Sequence, residues 1–266
     1  MLRARIITAL VAIPLLLWLI LGGPTLLYNF VVLAFTYLSL REFSAMALGD
    51  VHGGTTLATG AGMTIAIAML IDHTGAAVSA GIVIALSAVL LGALATATNM
   101  ERSVQGVGQV LLGSLYGGVL LPHLIWLRAL DGGPELVCFV IASTFASDAS
   151  GYFAGRSFGR TKLWPSVSPN KTVEGAVGSI LGTLVISQIF GVWVFGLFEP
   201  VELFLVAPLM SVLAQLGDLL ESMLKRAYGA KDSGWLLPGH GGVLDRTDSL
   251  VLPIVFIYYY AIVGGA

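Results

Sequence analysis

Apolar runs of bilayer length recur along almost the whole chain, and no other feature restricts its fold so tightly. They lie at about 6–21, 24–40, 55–71, 76–95, 104–127, 134–155, 175–198, 201–220 and 248–264. A helix needs roughly 20 apolar residues to cross the hydrocarbon core, and in lipid every backbone N–H and C=O must be paired inside the protein. Composition agrees: 57% of the 266 residues are hydrophobic and 11% charged, with a mean hydropathy of +0.92, far from the balance of water-soluble domains. The expected fold class is therefore all-α: an integral membrane protein, a polytopic bundle of about nine transmembrane helices. The first run follows Arg3 and Arg5 as a signal peptide would, but no convincing small-residue cleavage site precedes Pro24 and a second run follows at once. It reads as a retained helix.

Charge position tests that map independently, because cytoplasmic loops are rich in Lys and Arg. With the N-terminus in the cytoplasm, every Lys and Arg except Arg128 falls on the cytoplasmic side. The net charge of −2 and the lack of a basic run give no reason to expect nucleic acid as a partner. Cys138 is the single cysteine, which excludes an internal disulfide and a Cys-rich metal site.

Polar residues divide the chain unevenly. Residues 1–130 hold few of them within their spans and read as scaffold helices, whereas 131–266 carry polar residues at membrane depth from Ser143 onward. The two longest cytoplasmic connections, about 156–174 and 221–247, hold eight of the thirteen cations. With no repeat or flexible linker, the two parts are expected to form one compact unit. Small residues such as Gly113, Gly117 and Gly118 suit close helix packing, either within one chain or between two copies, and a homodimer is the expected assembly.

Asp148 sits among Ala-Ser-Thr-Phe-Ala-Ser-Asp-Ala-Ser-Gly-Tyr, where an ionised carboxylate costs roughly 2.5 to 3.5 kcal/mol on insertion scales. Helical spacing aligns it with Thr144, Gly151, Tyr152 and Gly155. Either another helix or a ligand approaches this small-residue face, or water or a neighbouring Arg satisfies the acid. The segment Ser168-Pro-Asn170-Lys171-Thr172 then precedes a helix whose N-terminal N–H groups favour anions, and Lys171 would stand beside them. The alternative is an ordinary positively charged loop.

Asp218, Ser222 and Lys225 share one helical face, with Glu221 beside them. Asp245 and Asp248 are three apart at the entry to the last span, so on a helix they point the same way. Carboxylates beside cations and glycine turns suit a divalent cation and a polyphosphate. Gly239, Gly241 and Gly242 let backbone approach a ligand, and His240 is placed to hydrogen-bond or move a proton, a structural part for it being no less consistent. His52, His73 and His123 lack metal-ligand spacing among themselves.

Read in order, Ser222-Met-Leu-Lys225-Arg226, four residues, Lys231-Asp232-Ser-Gly, Leu237-Pro-Gly-His240-Gly241-Gly242 and Asp245-Arg246-Thr-Asp248 resemble the signature of the phosphatidate cytidylyltransferases, or CDP-diacylglycerol synthases. The likeness covers about 140–250. It implies transfer of a cytidylyl group from CTP to phosphatidic acid, giving CDP-diacylglycerol and pyrophosphate, by a protein among membrane lipids in the bacterial inner membrane with its site facing the cytoplasm. Within that reading Asp218 and Asp248 are the expected metal ligands, with Asp245 sharing the cage and Asp148 completing it or holding a base. The cofactor is Mg²⁺, alone or with a second metal or a monovalent ion. Asp218, Asp245, Asp248, Lys225 and Arg246 are the expected catalytic set. Lys171, Lys225, Arg226, Lys231, His240, Gly241, Gly242 and Ser222 are the expected substrate-binding set. Lys231 and Asp232 would otherwise pair with each other. A membrane kinase or cytidylyltransferase acting on another lipid is the near alternative. An ion-coupled secondary transporter using Asp148 and Asp218 is the distant one, and it leaves the order of the signature without a reason.

Overall fold

The computed structural model describes residues 13–49, 53–72, 75–234 and 241–264. Residues 13–21 form α1; α2 is Thr25–Leu48, α3 Gly54–Ile71, α4 Ala76–Thr96 and α5 Met100–Leu115. A π-helical turn, Tyr116–Leu120, leads from α5 to α6, His123–Arg128. Then come α7, Gly133–Phe158, and a β-hairpin of β1, Lys162–Trp164, and β2, Ser168–Thr172. Helix α8, Val173–Ser187, runs on as a second π-helical stretch, Gln188–Val194. The chain finishes with α9, Leu203–Ala227, a short α10, Leu244–Thr247, and α11, Val251–Gly264.

Seven helical segments are long and apolar enough to cross a membrane: α2, α3, α4, the α5–α6 unit, α7, α8 with its π stretch, and α9. They coincide with seven of the nine expected runs. Of the other two, the run at 6–21 lies partly outside the described residues, and the last forms α11, an apolar helix shorter than the others. The chain is a helical membrane protein, and the expectation of helices alone misses the hairpin, whose register pairs Lys162 with Thr172 and Trp164 with Ser168. Its strands are too short and too polar to show a period of two.

Local chemistry explains several boundaries. Asn99 caps α5 by accepting from the Arg102 N–H at 3.0 Å, and Thr172 caps α8 by accepting from the Gly175 N–H at 3.1 Å. Arg128, the one cation outside the charge pattern, closes the C-terminal end of α1: its guanidinium donates to the Ile20 carbonyl at 2.9 Å and the Gly23 carbonyl at 2.8 Å, and lies 4.6 Å from the centre of the Tyr28 ring.

The core surrounds α7, whose Leu136, Phe139 and Val140 are buried against Leu203 and Met210 of α9 and Ile254 and Ile257 of α11. Serines stitch this region at membrane depth. Ser143 meets Ser187 and Ser147 meets Ser211, each pair at 3.0 Å, and Ser179 donates to the Ser147 carbonyl at 2.8 Å. Helices α7 and α8 cross so closely that a β-carbon on Gly151 would strike Ser179 and one on Gly178 would strike Ala154. The Gly113, Gly117 and Gly118 stripe is taken up inside the chain, packing on Phe43, Leu40 and Gly62. It therefore offers no free groove to a second copy.

Candidate active site

The C-terminal parts of α7 and α9, the hairpin and α10 bring the expected acids and bases together. Lys171, on β2, reaches Asp218 of α9 at 2.8 Å. Ser222, one turn further along α9, donates to the same carboxylate at 3.3 Å. A cavity of about 440 Å³ opens here between α7, β2, α8 and α9, with Asp148, Asn170, Lys171, Gln215 and Asp218 in its walls. The small residues Gly151 and Gly155 form its α7 side, as the spacing from Asp148 predicts.

Asp248 follows α10 and is buried. Gly217 makes its position possible, because any side chain there would strike the Asp248 carbonyl; its absence seats Asp248 against α9 beside Asp218. The Asp248 carboxylate accepts from the Ser249 N–H at 2.7 Å, and the Ser249 hydroxyl lies 3.2 Å from Asp248 and 3.0 Å from Asp148. One hydroxyl has one proton, so it cannot donate fully to both carboxylates. Burial and the neighbouring Asp218 carboxylate push Asp248 above the usual carboxylate range. Glu221, fully buried one turn before Lys225, keeps an oxygen with no hydrogen-bond partner in the described structure. The hydroxyl of Tyr116 is also buried without a partner, within electrostatic reach of Asp248, Glu221 and Asp218. The carboxyl groups of Asp148, Asp218, Glu221 and Asp248 thus lie close together in this corner, with the Lys171 and Lys225 ammonium groups paired to Asp218 and Glu221.

Asp245 has a different environment. One of its oxygens takes the Lys225 ammonium at 2.7 Å, and the other accepts N–H groups from Ser233 at 3.0 Å and Gly242 at 2.8 Å. Lys225 also holds Glu221, at 2.8 Å. Although burial opposes ionisation of Asp245, the Lys225 ammonium and the two N–H groups outweigh it and hold the carboxyl down at about 2. Gly241 turns the chain into this contact with φ +79°, a conformation that L side chains rarely adopt.

The remaining expected residues divide by exposure. Arg226, Lys231 and Arg246 lie at the surface, and Lys231 and Asp232 form no ion pair with each other in the described structure. His240 and Gly239 fall outside the described residues, as do His52 and His73. His123 is buried among Trp126, Tyr258 and Tyr259, with Nδ1 2.7 Å from the Val119 carbonyl.

Two participants escape sequence reasoning. Ser249 has no motif of its own beyond its place after Asp248. Glu42, in α2, accepts hydrogen bonds from the start of α10, and its only sequence signal is an acid at the polar end of an apolar run. Among the described residues, no group of three or more His, Cys, Asp and Glu side chains is gathered tightly enough to form a ready ligand shell. The donor set still fits Mg²⁺ chemically. That ion keeps several waters and needs only one or two carboxylates plus substrate phosphates, and Asp218 and Asp248 supply carboxylate oxygens side by side.

Comparison with known proteins adds a second line of observation. Residues 3–263 match the model of the cytidylyltransferase family. A phosphatidate cytidylyltransferase of Bacillus subtilis is 42% identical over 180 residues, 66% of this chain and 66% of the relative. One from Staphylococcus saprophyticus is 33% identical over 260 residues, covering 96% of this chain and 98% of the relative. One from Brucella abortus is 36% identical over 268 residues, covering 97% and 93%.

Proposed function

This chain belongs to the cytidylyltransferase family, and from that premise we propose its reaction: transfer of a cytidylyl group from CTP to phosphatidic acid, giving CDP-diacylglycerol and pyrophosphate. The observation that carries it is a family match over residues 3–263 that encloses the whole lysine–carboxylate cluster. Relatives of the same name that align over almost the full chain support the choice of substrates.

In this reading a phosphate oxygen of phosphatidate attacks the α-phosphorus of CTP in line, the bond from that phosphorus to the bridging oxygen breaks, and pyrophosphate leaves with the electron pair. The nucleophile is already an anion, so no strong general base is needed. His240 then has a positioning part. Lys171 at the cavity wall meets phosphate oxygens, and Arg226 and Arg246, exposed at the same end, grip phosphates in the bidentate manner open to guanidinium groups. Lys225 is engaged by two acids, which favours a role in fixing α9 to α10. Asp245, with both oxygens occupied, serves the same junction rather than a metal.

Mg²⁺ is the cofactor we propose, held by Asp218 and Asp248 with Asp148 nearby; when bound it would neutralise phosphate charge and stabilise the leaving pyrophosphate. The gathering of the Asp148, Asp218 and Asp248 carboxyl groups at one point supports this assignment. The site faces the cytoplasm, where CTP is available, of a bacterial inner membrane; the near-exclusive placement of Lys and Arg on one side of the expected topology supports that orientation.

The test is pyrophosphate release by detergent-purified protein supplied with CTP, phosphatidic acid and Mg²⁺, each omitted in turn and CTP replaced by ATP, GTP or UTP. Release that requires both CTP and phosphatidate is expected. Release with another nucleotide, or without phosphatidate, contradicts the reading.

A further inference from the structure

Glu42 lies in the half of the chain that sequence reading takes for scaffold, yet its carboxylate is bound to the segment that carries Asp245 and Asp248. One oxygen accepts the Val243 N–H at 3.0 Å, across 201 residues of sequence. The other accepts the Leu244 N–H at 2.8 Å and the Ser233 hydroxyl at 3.4 Å. The chain makes room for this contact: a β-carbon on Gly234 would strike the Glu42 carboxylate, and one on Gly242 would strike both that carboxylate and the Ser233 hydroxyl. Beside it, Phe43 of α2 is buried with Leu224 of α9 and Leu244 of α10. The two backbone N–H groups at the entry to α10 have no acceptor inside so short a helix, and a carboxylate is a strong acceptor for them.

Ser233 ties this clamp to the site. Its N–H donates to Asp245 and its hydroxyl lies 3.3 Å from the Asp245 N–H, while Asp245 holds Lys225. We propose that Glu42 is a positioning residue for the transfer reaction, fixing the Gly241–Leu244 turn to α2 so that Asp245 meets Lys225 and Asp248 lies beside Asp218. The proposal rests on the reaction assigned above. Glu42 touches no reacting atom in this role; it acts through the backbone it holds. It makes α2 part of the catalytic apparatus.

Glu42→Gln is the main variant, because the amide has nearly the same size but turns an NH2 donor toward an N–H donor. Turnover of CTP and phosphatidate is measured together with amide hydrogen exchange over residues 241–250. Ser233→Ala is the second variant, and Glu101→Gln, an exposed acid at the start of α5, is the control. For Glu42→Gln the expected result is a kcat lowered on the order of tenfold to a hundredfold, as misplacement of a catalytic group produces. KM for CTP stays near the wild-type value, and exchange accelerates at Val243 and Leu244 but not in α3. Ser233→Ala should show the same pattern more weakly. Wild-type kcat in Glu42→Gln overturns the proposal, as does a lowered kcat with unchanged exchange at Val243 and Leu244, or exchange that rises throughout the protein. If wild-type protein shows no CTP-dependent turnover, the reaction assignment fails, while the exchange measurement still decides whether Glu42 holds the turn.

Discussion

Replacing Lys225 with Met should destabilise the protein strongly, and a second substitution should undo part of the damage. The Lys225 ammonium lies 2.8 Å from Glu221 and 2.7 Å from Asp245, with side-chain exposures of 13%, 0% and 8% for the three residues. At such separations each attraction is worth about 6 kcal/mol at an effective dielectric constant of about 20, and desolvation offsets much of it. Removing the cation leaves both acids in place. Asp245 keeps N–H donors from Ser233 and Gly242, whereas Glu221 is left close to Asp248, another acid. Breaking a buried pair in this way costs about 3–5 kcal/mol. Lys225→Met combined with Glu221→Gln removes the acid left beside Asp248 and should recover about half of that loss, since an amide can donate to the Asp248 carboxylate without having to bind a proton. The assay is unfolding of detergent-purified protein followed by tryptophan fluorescence. A single variant as stable as wild type, or a double variant no more stable than the single, would refute the reasoning.

Asp248→Asn should abolish turnover while leaving the unfolding transition within about 1 kcal/mol of wild type, because the amide keeps the shape and the Ser249 contact; turnover at the wild-type rate removes Asp248 from the proposed metal site. Arg128→Gln should lower stability by about 2 kcal/mol through loss of hydrogen bonds to the Ile20 and Gly23 carbonyls and of the contact with Tyr28. Its kcat at low temperature should match wild type, and a large loss of kcat without loss of stability would contradict that assignment. The Asp245 carboxyl is held at about 2, below its ordinary 3.8, so its folded form gains stability that is fully present above the ordinary value and is lost as pH falls through the lower one. The stability gap between wild type and Asp245→Asn should therefore shrink between about pH 4 and pH 2, and a gap that widens on acidification reverses the sign.

Apolar run length made seven spanning segments legible in the sequence, because bilayer thickness fixes how many residues a helix needs. The hairpin was not legible: Lys162–Trp164 and Ser168–Thr172 carry too little apolar alternation, and tertiary placement over α8 sets their pairing. The π-helical stretches at Tyr116–Leu120 and Gln188–Val194 also leave no periodic trace. Within the site, helical spacing foretold that Asp218 and Ser222 share a face, and they are hydrogen-bonded. It could not foretell that Lys171 would reach Asp218, a contact created by the hairpin, nor that Asp245 would be saturated by Lys225 and two N–H groups. Glu42 was hidden for the plainest reason: its partners lie about two hundred residues away, and nothing local marks an acid as a clamp for a distant turn.

The central claim is best tested by following the phosphorus atoms of CTP. Purified protein is given phosphatidic acid, Mg²⁺ and CTP labelled either at the α- or at the γ-phosphorus, and the lipid is extracted. Attack at the α-phosphorus predicts that α-label enters the lipid as CDP-diacylglycerol while γ-label stays in water as pyrophosphate. Appearance of γ-label in the lipid would mean phosphoryl rather than cytidylyl transfer, and label in neither lipid pool would mean that this chain does not carry out the reaction assigned to it.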